Sequence, residues 1–221
     1  MTGTTLQLVL TVLLVAFLLV RNLPGALIFV RPAWIRARRE AGPEAVTPHG
    51  HGVAVAEMLD AVEDLGFAPL GVLREKRPLG PAQKEFSYGN EAEHAFAAVL
   101  PVRDEAWLFF FSAFEGGRAV VTADFRWPAT ERDDYLAGGL PAATPTEVWN
   151  AHRRRVARMV ETGARPITGL SLERREEVAR EFYRTGPGRR EARRRETRAF
   201  MFSVFALALL GSAIQAFLSG R

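Results

Sequence analysis

An α+β domain held between two transmembrane helices, one at each end of the chain, is the architecture predicted by this 221-residue sequence. Three features predict it: an apolar run near each terminus, a basic cluster on the inner side of each run, and a central series of β-prone segments among amphipathic helices. Residues 6–20 are apolar apart from Gln7 and Thr11, and residues 199–218 carry only Ser203, Ser212 and Gln215 as polar side chains. A helix rises 1.5 Å per residue, so about 20 apolar residues cross a bilayer core. The predicted division is a first transmembrane helix at 3–22, then a basic juxtamembrane segment and linker at 23–51. The α+β domain occupies 52–184, followed by a second basic segment at 185–198 and a second transmembrane helix at 199–218.

Arginine placement orients the chain. Arg21, Arg31, Arg36, Arg38 and Arg39 follow the first run, and Arg184, Arg189, Arg190, Arg193, Arg194, Arg195 and Arg198 precede the second. Positive charge collects on the cytoplasmic flank of a span, because translocating it is opposed. Both clusters therefore predict a cytoplasmic middle domain in a multi-pass inner-membrane protein, with both termini outside. A cleaved signal peptide would need a charged start and a small-residue cleavage site, and residues 1–22 offer neither.

The chain carries a net charge of +4, but residues 40–183 hold 16 Lys and Arg against 23 Asp and Glu. The basic charge is juxtamembrane and the domain is acidic, which argues against a nucleic-acid partner. The lipid bilayer is the expected partner instead, with headgroup contacts at Arg36, Arg38, Arg39, Arg193, Arg194 and Arg195. The chain has no cysteine, which removes thiolate chemistry and disulfides. Its 27 arginines against two lysines suit a GC-rich bacterial genome.

Within the domain, residues 40–52 read as a linker. Val55, Met58, Leu59, Val62 and Leu65 recur at helical spacing opposite an acidic face, and Gly66 is placed to end that helix. Five β-prone runs follow at 67–75, 84–88, 94–102, 106–114 and 118–127. Their short links predict an antiparallel meander, and Gly116 and Gly117 mark a hairpin. Residues 128–143 read as an irregular connection. Thr144, Pro145 and Glu147 form a capping box at the start of a helix bearing Trp149, His152, Val156 and Met159 on its apolar stripe. A last helix at 172–183 presents Val178, Phe182 and Tyr183. The predicted packing places these helices on one face of the sheet.

No residue pattern carries a recognisable chemistry. His49 and His51 are spaced to share a metal but lack a third ligand, so no metal or cofactor is expected. Glu131, Asp133 and Asp134 lack the calcium-loop pattern, and Asp124 is expected to face outward from its strand. The reading is a non-catalytic module that binds a partner protein or small ligand at the inner face of a bacterial membrane. The alternative is an enzyme acting on a membrane-associated substrate, using His152 or His94 with a nearby carboxylate. The spans are expected to pair, within one chain or in a homo-oligomer, through Ala208, Ser212 and Ala216, with Gln7 and Gln215 at similar depth.

Overall fold

The computed structural model of the chain describes residues 3–40 and 52–219. Its helices are α1 (Gly3–Val30), α2 (Val53–Asp64), α3 (Pro145–Glu161), α4 (Leu172–Arg184) and α5 (Pro187–Ser219). Its strands are β1 (Arg36–Arg39), β2 (Ala68–Lys76), β3 (Ala82–Asn90), β4 (Ala95–Val102), β5 (Glu105–Ala113), β6 (Ala119–Ala123), β7 (Thr130–Arg132) and β8 (Tyr135–Gly139). Two compact units result. One gathers the residues up to Ile35, Arg77–Gly80 and the residues from Arg189 onward; the other holds Arg36–Lys76 and Pro81–Gly188.

The second unit is an α+β fold on a single eight-stranded sheet, ordered β1-β2-β3-β4-β5-β6-β8-β7. β2 to β6 form the expected antiparallel meander, and β1 adds to its β2 edge. Strand alternation assigns the faces. Leu108 and Phe110 of β5, Phe86 and Tyr88 of β3 and Ala97 and Val99 of β4 pack against Val55, Leu59 and Val62 of α2 and Val148 and Trp149 of α3. Phe96 of β4, Phe111 of β5, Val121 of β6 and Tyr135 of β8 point the other way, toward Ile167 and toward Val178 and Phe182 of α4.

Helices therefore cover both faces, not one as predicted. The run 107–111 is apolar at every position, so burying one face of β5 would leave Phe109 and Phe111 in water. α4 supplies the missing cover: Phe111 meets Phe182 edge-on with ring centroids 5.6 Å apart.

Local signals acted as read. Thr144 Oγ1 accepts from the Glu147 N–H while the Glu147 carboxylate accepts from the Thr144 N–H, closing the capping box of α3. Gly66 takes a left-handed φ of 83°, and the Phe67 N–H reaches back to the Val62 carbonyl to finish α2.

Three strands lie where no strand was predicted. β1 is the basic stretch Arg36-Ala37-Arg38-Arg39, recruited as an edge strand antiparallel to β2. β7 and β8 lie in the supposed irregular connection, and β8 pairs parallel to β6. Glycine is essential at the end of β8: a Cβ at Gly139 would collide with the Phe125 and Trp127 backbone.

The first unit is helical. α1 runs past the predicted boundary at residue 22 to Val30, and the basic segment predicted at 185–198 lies largely within α5. Both helices are long and apolar enough to cross a membrane. Only 6% and 11% of their most apolar stretches is buried, so neither is the core helix of a water-soluble unit. They run antiparallel where Phe29 stacks on Phe200 at 4.3 Å. Arg193 Nε donates to the Phe29 carbonyl at 3.1 Å and its Nη2 to the Val30 carbonyl at 3.4 Å, capping α1. A Cβ at Gly25 would collide with the Ala199 and Glu196 side chains, so glycine permits this approach.

The packing face is not the one expected. Ser203 and Ala206 of α5 are buried, whereas Ala208, Ser212, Gln215 and Ala216 are exposed. Gln7 and Gln215 are both exposed, and no hydrogen bond joins them among the described residues.

Phe110→Ala and Phe111→Ala should each cost about 3–5 kcal/mol, since each empties a buried ring site under a helix. Thr144→Ala should cost less, about 0.5–2 kcal/mol, by opening the capping box. Urea unfolding of the full chain in detergent micelles measures both, and a Thr144 change as costly as either phenylalanine change would refute this core.

Candidate functional site

A groove of about 620 Å³ opens between α4 and the β5–β6 turn. Its floor is apolar, from Phe111, Ala113 and Ala119 of the sheet, Ile167, and Val178 and Phe182 of α4. Its rim is charged, with Arg118, Arg174, Arg180 and Arg184 set among Glu115, Glu177 and Glu181. Residues 165–167 line up beside the end of β5: the Glu115 N–H donates to the Arg165 carbonyl and the Ile167 N–H to the Ala113 carbonyl. That segment holds one wall. The opposite wall stays low because Gly116 and Gly117 both adopt left-handed φ, 74° and 76°, and carry no side chain.

The α4 part of the rim is pre-paired. Arg174 meets Glu177 at 3.0 Å, Arg180 meets Glu176 at 2.8 Å and Arg184 meets Glu181 at 2.8 Å, each within one helical turn. Hydrogen bonds from Thr185 and Arg184 hold the Glu181 carboxyl below its usual pKa. Arg118 differs: its guanidinium reaches the Thr162 hydroxyl at 3.4 Å. Among the described residues, no histidine, serine, threonine or cysteine lines the groove. Its arrangement suits binding: an apolar side chain on the floor and charged groups along the rim.

Beneath α4, Arg175 lies buried against Phe96, Phe109 and Phe111, with its guanidinium 5.3–5.9 Å from the ring centres. It pairs at 2.9 Å with Glu85, which also accepts from the Ser87 hydroxyl. Burial pushes the Glu85 carboxyl up, against the pull of Arg175 and Ser87. This pair orients α4 over the sheet.

His152 lies on the opposite face, completely buried. Its Nδ1 is 3.2 Å from Thr122 Oγ1 and its Nε2 is 3.1 Å from Ser112 Oγ. The ends of this chain set its direction. The Arg155 guanidinium can only donate, and does so to Thr122 Oγ1 at 2.8 Å; the His94 carbonyl can only accept, and does so from Ser112 Oγ at 3.0 Å. Thr122 therefore donates to Nδ1, and the neutral ring donates from Nε2 to Ser112. Burial and the Arg155 charge push its pKa down to about 3.

The remaining singled-out residues are dispersed. His49 and His51 lie outside the described residues. The His94 ring places a buried Nδ1 without a hydrogen-bond partner among the described residues, while nearby Glu91 accepts from the Gly169 and Leu170 N–H groups. Neither His152 nor His94 has a carboxylate partner among its hydrogen bonds to described residues. Glu131 pairs with Arg158, and no acidic or histidine cluster able to hold a metal occurs among the described residues. Asp124 does not simply face outward: it is half-buried, accepts the Leu108 N–H at 2.9 Å, and burial raises its pKa to about 6.

Of the arginines expected at headgroups, Arg36 and Arg38 are exposed on β1. Arg39 is ion-paired to Glu173 and Glu176 of α4, Arg193 caps α1, and Arg195 pairs with Glu191 at 2.9 Å. The groove residues escaped sequence reasoning because they come from three separate segments, 111–119, 167 and 174–184. Their one local trace is the Gly116-Gly117 pair. No family model, curated protein or solved structure matches the chain.

His152 and Asp124 make opposed contributions to stability against pH. The folded pKa of His152 lies below its unfolded value near 6.5, so its contribution is present above that value and is lost as pH falls toward 3. Its full slope is about 1.4 kcal/mol per pH unit. The folded pKa of Asp124 lies above its unfolded value near 3.8, so its contribution is present at low pH and lost as pH rises through 6. Between pH 6 and 4, Asp124→Asn should therefore steepen the loss of stability on acidification, and His152→Gln should flatten it. Denaturant midpoints at several pH values measure both, and parallel pH profiles would contradict the assignment.

Proposed function

We propose that the chain crosses a bacterial inner membrane twice, with both termini outside, and that its sheet unit is a cytoplasmic module that binds a partner through the groove between α4 and the β5–β6 turn. The single observation that carries the membrane part is the exposure of the terminal helices: Leu13, Phe17 and Val20 of α1 and Phe205, Leu207 and Leu218 of α5 all lie open. Water would not tolerate two such surfaces, and a bilayer favours them. The basic residues at the inner end of each helix support the orientation. Arg36 and Arg38, exposed on β1, are the residues we assign to headgroup contact.

The groove supports binding over catalysis, since among the described residues its lining has apolar area and charged pairs but no histidine, serine, threonine or cysteine. A partner protein segment with an apolar side chain flanked by charge fits this surface, as does a small amphipathic ligand.

A reporter active only in the cytoplasm should work when inserted in the β7–β8 turn at Asp133 and fail when placed after Arg221. The reverse pattern refutes the orientation. Arg118→Glu should reduce by at least tenfold the material that co-purifies with the intact protein from its native membrane. It should change stability by no more than about 0.5 kcal/mol, as a surface change does. Arg154→Glu, on a separate surface of α3, serves as the control; equal losses from both variants would rule the groove out.

A further inference from the structure

The turn between β2 and β3 carries an apolar residue that the protein itself does not cover. The Gly80 N–H donates to the Arg77 carbonyl at 3.2 Å, closing a four-residue turn with Pro78 and Leu79 at its centre. Leu79 has φ 56°, in the left-handed region where a Cβ crowds the backbone and where such turns normally place glycine or asparagine. The other non-glycine residues in that region, among those described, are His94, Arg103 and Ala142, each polar or small. Leu79 is also 70% exposed. Among the described residues outside α1 and α5, only Val53 and Val160 are large apolar side chains similarly open. Neither backbone preference nor contact with water favours leucine here.

The position of the turn supplies the missing contact. Between Val30 and β1 lie only Arg31, the 3-10 turn Pro32–Trp34 and Ile35. The first residue of β1, Arg36, pairs with Lys76, the last of β2. The pairing is antiparallel, so β2 runs back toward the end of α1 and brings Arg77 level with Ile35. Arg77–Gly80 accordingly belongs to the same compact unit as the residues up to Ile35 and those from Arg189 onward. Within that unit the Arg31 guanidinium stands 5.9 Å from the centre of the Trp34 ring, and Arg193 of α5 donates to the Phe29 and Val30 carbonyls. Arginine and tryptophan at the end of an apolar helix mark the depth of lipid headgroups. The turn is therefore gathered with the basic inner ends of both apolar helices, where a bilayer surface would lie.

We infer that Leu79 inserts into the bilayer leaflet at the inner ends of α1 and α5, making the β2–β3 turn a third point of membrane contact besides the two helices. The leucine enters the acyl chains just below the headgroups, and the exposed Arg77 stays at headgroup level. This rests on the reading that both terminal helices cross the bilayer, and it does not depend on which side the termini occupy.

The full chain, which has no cysteine, is labelled with the fluorophore NBD as single-cysteine variants Phe17→Cys, Leu79→Cys and Ala92→Cys and reconstituted in phosphatidylcholine vesicles. Ala92 is exposed in the turn at the opposite end of β3 and serves as the reference. A nitroxide on the lipid acyl chain near the headgroup should quench NBD at 79 at least threefold more than at 92, and aqueous iodide should show the reverse order. Equal lipid quenching at 79 and 92 would overturn the inference. So would protection of position 79 from both quenchers, which would put a second copy of the chain against the turn. A nitroxide deep in the acyl chains should quench NBD at 17; failure there would defeat the membrane-crossing reading itself, so the two readings fail separately. In a second arm NBD is attached at Ala82→Cys with Leu79 intact. Adding Leu79→Asn, which suits left-handed φ, should at least halve the lipid quenching at 82 and leave the circular dichroism of the chain unchanged. Quenching that survives Leu79→Asn, or a collapsed dichroism spectrum, would assign the leucine no membrane role and overturn the inference.

Discussion

A strand that is apolar on both faces cannot meet water on either, and β5 is such a strand. Leu108 and Phe110 face one way and Phe109 and Phe111 the other, so the sheet must be covered twice. α2 and α3 close one side, with Trp149 and Phe67 against Phe110, and α4 closes the other, with Phe182 against Phe111. The remaining strands follow from this constraint. β3 and β4 become buried on both faces along residues 85–89 and 95–99. β8 inserts beside β6, and β1 pairs along β2, so the twice-covered strands stay away from the sheet edges.

The two covered faces handle buried polarity differently. On the α3 side, every donor and acceptor from Arg155 through Thr122, His152 and Ser112 to the His94 carbonyl has one consistent partner. This keeps the imidazole neutral and makes it a structural connection between α3 and the sheet. On the α4 side a full charge pair, Arg175 with Glu85, is buried among phenylalanine rings. Such pairs add less stability than their Coulomb attraction suggests, but a wrongly placed α4 would leave each charge alone, so the pair disfavours alternative dockings of that helix. The groove lies along that same helix, and its width depends on where α4 is held.

The terminal helices are packed differently. Their apolar surfaces are outward, and the contacts between them are close and few: a stacked Phe29–Phe200 pair, glycine at position 25 and a guanidinium capping α1. Close backbone approach through small residues is how helices associate where lipid removes the hydrophobic drive. The exposed face bearing Ala208, Ser212 and Ala216 shows that small residues at helical spacing permit such an approach without compelling it.

What the sequence determined by itself is what nearest neighbours along the chain decide. The period of Val55, Leu59 and Val62, the Thr144–Glu147 box, the glycines of the β5–β6 turn and the two apolar end runs each act within a few residues; each gave its element, although the end helices run beyond their apolar runs to Val30 and back to Pro187. Edge strand β1 and strands β7 and β8 were illegible because they carry arginines, glycines or three residues only, and exist because an open ladder beside them supplied hydrogen bonds. Only tertiary structure could choose which face α4 covers, bring Ser112 and Thr122 to His152, assemble the groove from three segments, and bring Gly25 of α1 against Ala199 of α5. Each of those outcomes depends on contacts between residues far apart in the chain, whose energies no local pattern encodes.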